Sequence, residues 1–128
     1  MERIFRGKTL TGRWVEGSYY KQEEFYGSKE DADVIITSKE SLTYDQALDY
    51  AIVIPETVGQ YTGLTDKNGK KIFEGDIVKN EFGEIDKVAF LFGRFVPFNR
   101  YPEYRCFFCE RCEVIGNIHD NPELLEVK

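Results

Sequence analysis

The dipeptide Asn68-Gly69 constrains this chain more than any other feature. It lies in Thr65-Asp66-Lys67-Asn68-Gly69-Lys70, with Ile72-Phe73 just beyond. Asn-Gly is the strongest short-range hairpin signal, because both central residues of the favoured two-residue turn need positive φ. Two further reversals follow closely. Glu74-Gly75-Asp76 precedes Ile77-Val78-Lys79-Asn80, and Gly93-Arg94 precedes Phe95-Val96-Pro97-Phe98. A chain punctuated this often has room only for short strands. Its apolar supply agrees, with ten Phe and eight Tyr against one Met and one Trp. Aromatic and β-branched side chains suit half-buried pleated surfaces.

The rest of the chain extends the pattern. Residues 3–7 and 13–21 read as strands joined at Thr11-Gly12, residues 22–32 as a solvated loop, and residues 34–37 as a short β-branched strand. Thr43-Tyr44-Asp45-Gln46 has capping-box spacing, so residues 44–50 are expected to hold about two helical turns. Ile52 to Ile54 is strand-like and Pro55 ends it. Residues 55–63 are rich in turn formers and show no period. Strands are expected again over 84–92, 95–98 and 114–118. Asn121 as N-cap with Pro122 at the first helical position predicts a short C-terminal helical turn. The fold class expected is mainly β. An SH3-like small barrel covers about residues 55–128, N-terminal strands occupy residues 1–54, and there are one or two short helices.

Charge and composition narrow the function classes. At 128 residues the chain is long enough for one compact domain or two small lobes. A net charge of −6 counts against a sequence-indifferent nucleic-acid binder and against anionic membranes. The first residues lack the apolar core of a signal peptide, and no apolar run approaches the length that spans a bilayer. Three cysteines confined to residues 106–112 do not make a secreted disulfide framework. A cytoplasmic location is the expectation.

Three segments carry a resemblance. They are Phe5-Arg6-Gly7-Lys8 with Gly12-Arg13-Trp14-Val15-Glu16-Gly17, the block PETVGQYTGLTDKNGKKIFEGDIV from Pro55 to Val78, and EVIGNIHDNPELL from Glu113 to Leu125. Together they resemble the YopX family of bacteriophage and prophage proteins. The resemblance implies a phage or prophage origin and a mostly-β fold with an SH3-type barrel. It brings no enzyme mechanism and no cofactor, and none is expected.

Several side-chain groups have the composition of a site. Cys106, Cys109, Cys112 and His119 offer a Cys₃His set on paper. One Cys-x-x-Cys knuckle is less than structural zinc sites use, so buried small hydrophobes are the first reading of these cysteines. His119 adjoins Asp120 and Asn121 in an expected cap, and no nucleophile motif accompanies it. Asp66, Glu74 and Asp76 crowd the turns and could hold a cation, yet they occupy positions where Asp bonds its own turn backbone. Gln60, Tyr61 and Thr62 lie in a turn-rich segment without a periodic core role. With Asp66, Asp76 and Asn117 they form the candidate partner-binding set, to which Tyr101, Tyr104, Phe107 and Phe108 would add aromatic surface. The function expected is a non-enzymatic macromolecule-binding module with a protein partner and a homo-oligomeric state. The alternatives are a nucleic-acid-associated small barrel and a metal-dependent or hydrolytic enzyme.

Overall fold

The structure is a computed structural model that describes residues 3–23, 31–37, 50–91, 94–96 and 111–125. The chain divides into two units, Met1–Gln60 and Tyr61–Lys128. Of the helical turns expected over residues 44–50, residues 44–49 lie outside the described residues, and Tyr50 begins a strand.

In the first unit β1 (Phe5–Lys8), β2 (Trp14–Gln22), β3 (Ala32–Ile36) and β4 (Tyr50–Val53) pair in succession, all antiparallel. The register places Phe5, Gly7, Val15, Gly17, Tyr19, Ile35 and Val53 on one face. Ile35 and Val53 are buried there, and the Phe5 and Tyr19 rings stand 5.6 Å apart. Two glycines allow this face to close up. A Cβ on Gly7 would come within 2.9 Å of the Val53 side chain, and one on Gly17 would collide with the Ile36 carbonyl oxygen. Where backbone passes this close, only glycine fits.

The sheet curls back on itself. Thr9 bridges Val53, the Ile54 N–H donates to the Lys8 carbonyl at 2.8 Å, and Gly59 and Gln60 pair with Arg6 and Phe5. The segment on either side of Pro55 is therefore one interrupted partner of β1. Its interruption is the 3-10 turn Pro55–Thr57. Thr57 fills the gap this leaves in the ladder, its Oγ1 accepting from the Lys8 N–H at 2.9 Å and donating to the Ile54 carbonyl at 2.5 Å. Pro55 ends β4 as expected, yet it marks an excursion within a strand partner and not a boundary between units.

The boundary falls inside β5 (Gly59–Thr65), a strand absent from the sequence reading. Tyr61 pairs with Phe73 and Thr65 with Lys71 of β6 (Lys71–Phe73), leaving a bulge on β5 that carries Gly63 at φ +87°. The bulge broke the period on which strand recognition depends. In the second unit β11 (Glu113–Asn117), β7 (Asp76–Lys79) and β8 (Ile85–Lys87) form a three-stranded sheet in that order, with β7 central. Ile77 and Val78 point to opposite faces and are both fully buried, so β7 is covered on both sides. Ile72, Val78 and Val88 make the core cluster, with Val114 against it. Each such side chain contributes about 1.5–3 kcal/mol.

The run 84–92 is two strands, β8 and β9 (Ala89–Leu91), and β9 pairs with β10 (Arg94–Val96). Val88 separates β8 from β9; its N–H donates to the Asp76 carbonyl, and its own carbonyl accepts from the Gly75 N–H. The mainly-β class holds. The SH3-like barrel over 55–128 does not close, since β9 and β10 pair only with each other among the described residues and β11-β7-β8 stand as a separate sheet. The expected C-terminal helix is a 3-10 turn, Pro122–Leu125. Asn121 sends its side-chain oxygen back to the Asn117 N–H at 3.3 Å.

Candidate protein-binding surface

One loop design recurs three times, and its first residue is a buried polar side chain. Thr9, Asp66 and Asn80 are all buried, and each has a glycine of positive φ three positions on: Gly12, Gly69 and Gly83. In each loop the N–H of the first residue donates to the carbonyl of the fifth, and the glycine N–H donates back to the carbonyl of the first. This is the three-residue hairpin loop that ends in a left-handed glycine bulge. The loop at Asn68-Gly69 is thus one residue wider than the tight turn expected.

Asp66 supports its loop from within. Oδ1 accepts from the Asn68 N–H at 2.8 Å and the Lys70 N–H at 2.9 Å, while Oδ2 accepts from the Val114 N–H at 2.9 Å. The Lys67 N–H donates to the Cys112 carbonyl at 2.9 Å. One carboxylate therefore ties the loop to the start of β11. Burial pushes the Asp66 carboxyl up, but the N–H groups of Val114, Lys70 and Asn68 and the nearby Lys70 charge outweigh it and hold it below the usual range.

Asn80 does the same for the next loop. Its Oδ1 accepts from the Phe82 N–H at 3.0 Å and the Glu84 N–H at 2.9 Å, and its Nδ2 donates to Glu84 Oε1 at 3.1 Å. Phe82 rides on this frame with 68% of its surface exposed. Beside it runs a shallow groove of about 800 Å³ that includes Lys67, Lys79, Asn80, Arg111 and Glu113 in its lining. Its rim carries two ion pairs at 3.4 Å, Lys67–Glu113 and Arg111–Glu81. Exposed pairs of this kind add little stability, but an exposed aromatic side chain beside polar and charged groups is a combination that protein interfaces use.

The residues singled out in the sequence are scattered by comparison. Asp76 is 1% exposed, accepts from the Phe73 N–H through Oδ2 at 2.7 Å and is the Cα partner of Asn117. Asn117 Oδ1 accepts from the His119 and Asp120 N–H groups at 3.0 and 2.9 Å, which makes it the organiser of the turn after β11. Gln60 pairs with Phe5 in the first unit. Tyr61 is half-buried with its ring 5.5 Å from Phe73 and the Lys71 ammonium 5.9 Å from its ring centre. Thr62 Oγ1 donates to the Ile72 carbonyl at 2.8 Å and accepts from the Leu64 N–H at 3.2 Å, bridging the β5 bulge. Asp66, Asp76, Asn117 and Thr62 are thus engaged with backbone, and only Asp66 adjoins the groove, through Lys67.

Cys112 is buried and His119 half-buried. Cys106 and Cys109 lie outside the described residues, as do Tyr101, Tyr104, Phe107 and Phe108. Among the described residues no three His, Cys, Asp or Glu side chains are grouped to hold a metal, and no helix is long and apolar enough to cross a membrane. Sequence reasoning missed Asn80 and Phe82. The signal was present: Asn80-Glu81-Phe82-Gly83-Glu84 repeats the spacing of Asp66-Lys67-Asn68-Gly69-Lys70.

Comparison with known proteins places these features in context. A family model described as YopX protein matches residues 5–126. The crystal structure of protein EF1440 from Enterococcus faecalis is similar, with a TM-score of 0.60 and 28% sequence identity, covering 98% of this chain and 99% of that one. No curated protein matches the chain.

Proposed function

The chain belongs to the YopX family, and from that premise we propose that it is a phage or prophage accessory protein that acts by binding another protein rather than by catalysis. The observation that carries this reading is Phe82, an exposed aromatic held on a loop that its neighbour Asn80 has already ordered. An anchor on a rigid frame loses little entropy on docking, which is what concentrates binding energy in a few aromatic side chains. The proposal includes a cytoplasmic setting and self-association. Support for the latter comes from the exposed Tyr20, Tyr50 and Ile52 on one face of β2, β3 and β4.

Affinity capture from the bacterial host, with and without nuclease, tests the reading. A stoichiometric protein that survives nuclease and is lost with Phe82→Glu supports it, given an unchanged melting temperature for the variant. Capture unaffected by Phe82→Glu would remove this surface from the proposal.

A second reading has its own observation. Residues 3–22 contain five Lys or Arg and one Glu in a chain of net charge −6, and Trp14 and Tyr20 stand on the same strand. A basic strip with aromatics is what single-stranded nucleic acid uses. Anisotropy of a labelled oligothymidylate at low salt decides it, and no binding there disposes of it.

A further inference from the structure

We propose that Asn68 is a site of spontaneous deamidation whose rate is governed by the Asp66 clamp. Asn68 is exposed, and Gly69 follows it with no side chain to hinder the approach of its own nitrogen. Gly69 is itself exposed, and a Cβ placed on it would find no atom within 4 Å. The chemistry needs nothing else. The Gly69 nitrogen attacks Asn68 Cγ, forming an N–C bond as the Cγ–Nδ2 bond breaks, and the displaced amide leaves as ammonia with the proton of the attacking amide. Water then opens the cyclic imide at either carbonyl. Opening at the Cγ carbonyl gives aspartate, and opening at the main-chain carbonyl gives isoaspartate.

The folded loop holds this reaction back. The attacking Gly69 N–H is engaged with the Asp66 carbonyl at 3.0 Å. The N–H groups on either side, of Asn68 and Lys70, are fixed to Asp66 Oδ1 at 2.8 and 2.9 Å. To bring its nitrogen onto Cγ, the loop must break these bonds. Once formed, isoaspartate adds a methylene to the main chain inside a loop closed by bonds between Asp66 and Lys70, and either product adds a negative charge beside Lys67 and Lys70. The reaction therefore alters the loop that presents Lys67 to the groove.

The test is peptide mapping by mass spectrometry of the full chain incubated in mildly alkaline buffer, with synthetic aspartyl and isoaspartyl peptides as elution standards. Wild type should convert slowly when folded and fast in urea. Asp66→Ala should speed conversion of the folded protein roughly tenfold, as losing a hydrogen bond to a charged acceptor implies. Asp66→Asn, which keeps one acceptor oxygen, should fall between. Asn80→Ala, which loosens the other loop, should leave the rate unchanged. Equal rates for folded and unfolded wild type would overturn the proposal, as would no conversion in urea. Acceleration by Asn80→Ala equal to that by either Asp66 variant would overturn it too.

Discussion

A carboxylate that is 4% exposed costs stability unless its charge is answered, and Asp66 is answered by three backbone N–H groups. Removing it strands those donors, and hydrogen bonds to a charged group are worth about 1.5–3 kcal/mol each. Because the substitution also removes the cost of burying the charge, Asp66→Ala is expected to lower unfolding stability by about 3 kcal/mol, less than the three bonds together, read by urea denaturation. The pH dependence follows from the direction of its shift. Its carboxyl titrates lower in the folded state, so its contribution is present above the unfolded value near 3.8 and is lost as pH falls through the folded one. The Tyr19 hydroxyl, which donates to Asp33, shows the opposite case. The Asp33 bond, then burial, then the Asp33 charge raise it from 10.0 to about 12. Its contribution is intact below pH 10 and declines as pH rises toward 12. Tyr19→Phe should flatten that alkaline decline in a series of melts across the range. At this scale the sequence was legible in part. Asp at the head of a turn announced a backbone role, but the third bond, donated to Asp66 by the Val114 N–H, joins residues 48 positions apart and leaves no local trace.

Elements depend on what packs against them as much as on their own residues. β1, β2, β6, β7 and β11 were legible because each is a short apolar or alternating run between turn formers. β5 was not, because a bulge and the Thr62 hydroxyl take the place of regular pairing. Gly7 and Gly17 in the first sheet separate two kinds of close approach. Gly7 faces a side chain and Gly17 faces backbone. Both Ala substitutions are expected to cost about 1–3 kcal/mol, the range for forcing atoms into a packed site. Val53→Ala should recover part of the loss for Gly7→Ala in a double-mutant cycle. No side-chain change should rescue Gly17→Ala, and a cycle that rescued it would contradict the register between β2 and β3. Asn80→Ala should disorder Phe82 without unfolding β7 or β8, seen as fast amide exchange confined to residues 81–84.

For the whole molecule, composition and turn spacing were enough to give a mainly-β chain, and the three matching blocks were enough to give the family. The small β unit expected over residues 55–128 is present, but its barrel is not closed. The sheet that curls back is the N-terminal one, through Thr9 and Val53, and its signal is a pairing between residues far apart in the sequence. The candidate surface was half legible for a related reason. The spacing from Asn80 to Gly83 could be read, but its meeting with Arg111 and Glu113 depends on β11 pairing with β7.

That curled sheet also sets a timetable for synthesis. β1 leaves the ribosome well before residues 53–60, which complete one of its edges, and the Lys8–Thr57 bond spans 49 positions. At about 5–20 residues per second, the nascent strand waits roughly 3–10 s for that partner to be made. Through that interval its unpaired edge can be taken by any passing strand. β1 is made before β2, β3 and β4 and is finished after them.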